Sequence, residues 1–136
     1  VTVHVIVDAA NVMGSRPDGW WRDRPGAARR LAGQLVAALT TDPTDLPRGL
    51  NLSDEEPLLL HLVLEGAARV DDLPTHAGLS VVLADRDGDS AIVDLVGTLD
   101  GEEVVVVTAD RDLRNRVEGA GASTIGPGAL LRALPG

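Results

Sequence analysis

Cysteine, lysine, phenylalanine and tyrosine are all missing from the 136 residues. Without cysteine there is no disulfide framework and no thiolate metal site, so any metal must be held by oxygen or imidazole. Hard oxygen donors favour Mg²⁺ or Mn²⁺ over Zn²⁺. Aromatics are reduced to Trp20 and Trp21, so Leu, Val, Ile and Ala must fill the interior. The 44% hydrophobic content is enough for a core, and the length suits one domain spanning 1–136. No run approaches the ~18 apolar residues of a membrane span. The chain enters a strand pattern at once, with no basic leader, and is expected to be cytoplasmic.

The net charge of −9 argues against broad, non-specific binding to nucleic acid. The charge is uneven, however. Residues 16–30 set Arg16, Arg22, Arg24, Arg29 and Arg30 against Asp18 and Asp23, a local net of +3, and the remainder carries −12. One basic segment on an acidic body is either a phosphate-binding rim or the solvated entrance of a helix.

Apolar, β-rich runs occupy 1–7, 58–64, 79–84 and 103–108, with a shorter one at 122–125. They are apolar at nearly every position, as in strands buried on both faces of a parallel sheet. Helical patterns fall between them. After Pro25, residues 26–39 align Ala28, Leu31, Ala32, Leu35 and Leu39. Residues 89–99 align Ile92, Leu95, Val96 and Leu99, and further helices are expected at 112–119 and 127–134. Residues 66–73 read as a short turn or helix, and the Pro/Asp-rich stretch 40–57 as a long surface loop. The order predicts an α/β, doubly wound, Rossmann-like domain: a central, mostly parallel sheet with helices on both faces.

Ligands of such sheets bind beyond the carboxyl ends of the strands. There the sequence places Asp8 and Asn11, then Glu65, then Asp85, Asp87 and Asp89, then Thr108, Asp110 and Asp112. Crowded carboxylates repel, and a divalent cation relieves them. Each acid also has a plainer reading. Asp89 and Asp112 suit helix N-caps, Asp85 and Asp87 suit solvated loops, and Asn11 suits a turn. His4 and His61 sit within apolar strands and read as core or edge residues, while His76 reads as surface. Arg29 and Arg30 flank the apolar face of the first long helix, so each faces the site or makes a surface ion pair.

The segment VIVDAANVMG (5–14) resembles the opening of YacP-like NYN domains, within the PIN-like nuclease superfamily. GAARRLAGQL (26–35) resembles the first helix of that family, GDSAI (88–92) its acidic helix start, and VVVVTADRDL (104–113) its last core strand and following acids. STIGPGAL (123–130) is similar to its end. The resemblance spans almost the whole chain. It implies a PIN-like fold and a metal-dependent ribonuclease using Mg²⁺ or Mn²⁺ on an RNA substrate. Asp8, Asp89, Asp110 and Asp112 match the metal-binding acids. Asn11 matches the polar residue supporting the first acid, and Thr108 the small hydroxyl residue beside the third. Arg29 and Arg30 are candidates for substrate phosphates, and Trp20 or Trp21 for stacking on a base. Two departures stand out. Ala9-Ala10 replaces the usual Gly and larger residue. Val93 stands where a further acid is common, with Asp94 one step on, about 140° round the helix from Asp89.

Other functions fit the same acids. One is a binding module for RNA or protein with little catalysis. Another is a phosphohydrolase acting on nucleotides. A receiver-type signalling domain also gathers acids at strand ends, but normally needs a lysine beside them.

Overall fold

The apolar runs become strands, and every strand lies parallel to its neighbours. The computed structural model describes residues 2–41 and 44–135. Val1 of the expected first strand, Asp42 and Pro43 of the expected loop, and Gly136 lie outside the described residues. The strands are β1 (Val3–Asp8), β2 (Leu58–Leu64), β3 (Leu79–Leu83), β4 (Glu103–Val107) and β5 (Ser123–Ile125). They form one five-stranded sheet in the order β3-β2-β1-β4-β5. β1 is central, pairing with β2 (Val3 beside Leu58) and with β4 (Val3 beside Glu103).

The helices are α1 (Ala9–Gly14), α2 (Arg24–Thr41), α3 (Asp45–Gly49), α4 (Gly88–Thr98), α5 (Arg111–Gly119) and α6 (Pro127–Ala133). Strand alternation sends Val5, Val7, Leu60, Leu62, Leu64, Val105 and Val107 to one face, where α1, α2, α3 and α6 cover them. Ile6, Val63, Val104 and Val106 point to the other, under Ile92 and Val96 of α4 and Leu113 and Val117 of α5. Alanines line the inner face of α2 at positions 27, 28, 32 and 38. Their small volume lets an 18-residue helix lie close to a sheet that has no aromatic side chains to wedge it away. Truncating a fully buried leucine here, such as Leu35, costs about 2–5 kcal/mol.

The expected elements are present with shifted ends, and three points differ. The stretch 40–57 is not all loop, since Asp45–Gly49 forms α3 and buries Leu46 and Pro47. The segment after β1 turns straight into α1, and Trp20–Arg22 forms a 3-10 turn. β3 is also not buried on both faces: Val81 is 37% and Leu83 43% exposed. Only the 3-10 turn Gly66–Ala68 and an irregular stretch lead from β2 to this edge strand, so among the described residues no helix from this connection covers that part of the face. Among the described residues, no helix is long and apolar enough to cross a membrane.

Winding outward from β1 through β2 to β3, the chain then crosses back to place β4 on the other side of β1. Strand order therefore reverses between β1 and β4. Their carboxyl ends flank the crevice where a doubly wound sheet takes its ligand.

Candidate active site

Asp8 is the last residue of β1 and also the N-cap of α1. Its Oδ1 accepts the Asn11 backbone N–H at 3.3 Å. Across the crevice, the Thr108 hydroxyl donates to Asp8 Oδ2 at 2.9 Å. Thr108 follows β4, is fully buried, and is fixed by its own N–H to the Ile125 carbonyl at 3.0 Å. Its Oγ1 in turn accepts the Asp110 N–H at 3.2 Å. Asn11 closes the other side, its Oδ1 accepting the Ala109 N–H at 2.8 Å. That bond fixes the amide orientation and leaves the Asn11 Nδ2 as a donor for something else. Asp8, Asn11, Thr108 and Asp110 thus form one hydrogen-bonded unit joining residues about a hundred positions apart.

Asp8 is only 5% exposed. Burial pushes its carboxyl up to about 6, against the pull of the Thr108 and Asn11 hydrogen bonds and with further push from Asp89 and Glu65. Asp89 sits in the first turn of α4 and is also raised, first by burial, then by the charges of Asp110, Glu65 and Asp87, with Arg116 opposing. The charge of Glu65 thus acts on both Asp8 and Asp89, and that of Asp110 on Asp89, at one rim of the sheet. Glu65, at the end of β2, reaches across to accept the Gly88 N–H at 3.0 Å and ties this rim to the start of α4.

The capping roles differ from the sequence reading. Asp87 caps α4, taking the Ser90 N–H at 2.7 Å and the Ser90 hydroxyl at 3.1 Å, and these bonds hold its carboxyl below the usual range. Asp89 is thus left uncommitted by the helix start. Asp110 caps α5 through the Leu113 N–H at 3.1 Å, while Asp112 stands exposed in the first turn of that helix.

Arg29 pairs with Asp72 at 3.1 Å, and Arg30 lies 3.7 Å from Asp18. Both are exposed surface pairs along α2. Asp94 is exposed on α4 and lines a shallow depression with Asp85, Arg86 and Asp87. Sequence reasoning did not single out Arg116, the cation that acts on Asp89. Its place one turn after Asp112 was readable, but the packing of α5 against α4 was not. Away from the rim, His4 of β1 and His61 in the middle of β2 stack with Nδ1 and Nε2 2.9 Å apart, and His4 Nε2 lies 2.9 Å from Glu102 without hydrogen-bond alignment.

The donor set at the rim, carboxylates with a neutral amide and a hydroxyl beside them, suits a hard divalent cation. The arrangement is open: among the described residues, no three acidic or imidazole side chains are grouped so as to hold a metal ion.

The five-stranded parallel sheet with helices on both faces is a PIN-like fold, the fold of solved YacP structures. Solved structures with this fold include Rae1 (YacP) from Bacillus subtilis. It superimposes with a TM-score of 0.67 at 17% identity, covering 94% of this chain and 71% of its own. Its W164L mutant gives 0.63 at 16% identity, covering 96% and 73%. At these identities the likeness is one of fold. No family model and no curated protein sequence matches the chain.

Proposed function

We propose that this chain is a metal-dependent endoribonuclease that hydrolyses RNA phosphodiester bonds at the rim between β1 and β4. The observation that supports it most is Asp8: a carboxylate buried at the switch point, tied to Thr108, and crowded by Asp89 and Glu65. A buried acid held against other acids is costly for folding and suited to a cation.

Asp8, Asp89 and Asp110 would hold Mg²⁺ or Mn²⁺, and Asp112 completes the proposed set. When bound, such an ion polarises a phosphoryl oxygen and makes a water molecule more acidic. The chain's own residues set the geometry. Thr108 and the Asn11 N–H fix the Asp8 carboxylate in one orientation. Asp110 is fixed by its cap to Leu113. The free Asn11 Nδ2 donates to a phosphate oxygen, and Arg116 offsets the charge that builds beside Asp89. Burial of Asp8 excludes water from its far side and strengthens each of these interactions. Arg29 and Arg30 reach flanking phosphates only by leaving Asp72 and Asp18, exchanges that surface pairs permit at little cost.

The test is cleavage of a labelled RNA with Mn²⁺ or Mg²⁺ by the parent and by Asp110→Asn. Asparagine preserves the helix cap, so loss of activity is not loss of fold. Cleavage should fall by at least about 100-fold, the scale of removing one electrostatic contributor. Undiminished metal-dependent cleavage by the folded variant would refute the assignment.

The open arrangement of the acids and Val93 in place of a further acid favour one rival, a PIN-like module that binds RNA or protein without turnover. Absence of cleavage in excess Mn²⁺, with binding retained, would select it. Phosphate release from nucleoside triphosphates with intact RNA would instead select a nucleotide phosphohydrolase.

A further inference from the structure

Trp20 and Trp21 are the chain's whole complement of tryptophan, phenylalanine and tyrosine, and Trp21 is left out of the core. Trp20 is half-buried against the α2 face of the sheet, and its ring packs beside Gly14, the last residue of α1. Trp21 stands edge-on to it, with ring centres 6.1 Å apart, and is 54% exposed. Arg24 lies over the Trp20 ring at 5.3 Å, and Arg22 over Trp21 at 5.7 Å. Both distances fall within cation–π reach.

The neighbouring acids are engaged elsewhere. Asp18 accepts the Trp20 N–H at 3.2 Å and faces Arg30 at 3.7 Å. Asp23 accepts the Gly26 N–H at 2.9 Å at the start of α2. Among the described residues, neither Arg22 nor Arg24 has a carboxylate partner. An exposed indole beside two guanidinium groups without a carboxylate partner is thus a basic spot on a chain of net charge −9.

This spot is joined to the acidic rim by α1, which runs from its cap Asp8 to Gly14 under Trp20. Six residues of helix span about 9 Å.

We infer that Trp21, Arg22 and Arg24 form a stacking platform for single-stranded RNA, holding a base a few nucleotides from the bond at the rim. This rests on the ribonuclease reading for the identity of the strand. Trp21 supplies a flat apolar face that accepts any base, and the two arginines meet the flanking phosphates. The platform therefore selects unpaired strands without selecting sequence, because a paired base has no free face to offer. The acidic body repels the strand elsewhere and confines it to this approach.

The experiment measures binding of a labelled single-stranded RNA oligonucleotide in EDTA at low salt, where cleavage plays no part. Trp21→Ala should weaken binding about 10-fold, and Trp21→Phe should restore most of it. In Trp20→Phe, where Trp21 is the sole indole, RNA should quench the emission. Arg22→Gln and Arg24→Gln should each lower the log–log salt slope by about 0.7. Trp21→Ala should melt like the parent, because the ring is half in solvent. Parent-like RNA binding by Trp21→Ala would overturn the platform, and so would equal quenching by duplex RNA or by an acidic peptide. Cleavage with Mn²⁺ is read separately. Cleavage with no role for Trp21 removes the platform and keeps the nuclease; binding and quenching without cleavage do the reverse.

Discussion

Replacing Asp8 by asparagine should stabilise the metal-free protein while abolishing its proposed activity. Burial raises the Asp8 carboxyl from an ordinary 3.8 to about 6 in the fold. At about 1.36 kcal/mol for each tenfold change in proton affinity, keeping it ionised above pH 7 costs the folded state ~3 kcal/mol. The folded state binds this proton more tightly than the unfolded chain does. Stability from this group therefore rises as pH falls through about 6 and levels off below about 4. The asparagine of Asp8→Asn is uncharged at every pH and keeps one oxygen to accept from Thr108. Some hydrogen-bond strength is lost, ~1 kcal/mol. The net gain at pH 8 is then ~2 kcal/mol, or roughly 5–10 °C in melting temperature for a chain of this size. Thermal unfolding in EDTA at pH 8 and pH 5 measures it. The gap between Asp8→Asn and parent should shrink at pH 5, and added Mn²⁺ should raise the parent's melting temperature only. A variant that melts at or below the parent at pH 8 would refute the claim that burial of this charge strains the fold.

Thr108→Val removes the donor to Asp8 Oδ2 and the acceptor for the Asp110 N–H, costing about 1–3 kcal/mol. Because the Thr108 bond lowers the Asp8 carboxyl, its loss should also move the acid limb of a pH–rate profile to higher pH. Gly88→Ala places a Cβ 3.1 Å from Glu65 Oε1 and should destabilise by about 1 kcal/mol, whereas Gly97→Ala on the same helix meets no atom within 4 Å and should stabilise by about 0.5–1 kcal/mol. Paired denaturant melts compare the two. The His61 ring is held below its ordinary value by burial and by His4. Its contribution to stability is present above about pH 6.5 and is lost as pH falls toward the folded value. His61→Gln should remove that part of the pH dependence of urea unfolding.

The runs LLLHLVL and EVVVV declared their strands because an interior strand buries both faces and leaves few polar positions to confuse the pattern. The same logic failed at β3, whose sequence looks equally apolar, because burial of an edge depends on what the connection before it becomes. α1 was hidden since AANVMG carries no repeat long enough to show a helical period, and α3 since its prolines and aspartates imitate a loop. At the rim, the strand-end rule supplied Asp8, Glu65, Asp85, Asp87, Asp89, Asp110 and Asp112 without coordinates and left the choice among them to the family resemblance. It could not decide which acid caps a helix, as Asp87/Asp89 and Asp110/Asp112 are each two residues apart. The partners of Arg29 and the reach of Glu65 to Gly88 depend on tertiary approach across 43 and 23 residues, which no local pattern records.

β1 is the first strand of the sheet to be synthesised and the middle one of the finished fold, and the hydroxyl it meets across the crevice arrives a hundred residues later. A chain emerging from the ribosome can pair β1 with β2 early, yet Asp8 waits for Thr108 until β4 is out. Loop closure over such a separation is slow compared with helix formation. A nascent fragment ending before β4 consequently carries its deepest described carboxylate without the group that orients it, so assembly of the rim is deferred until Thr108 has been synthesised.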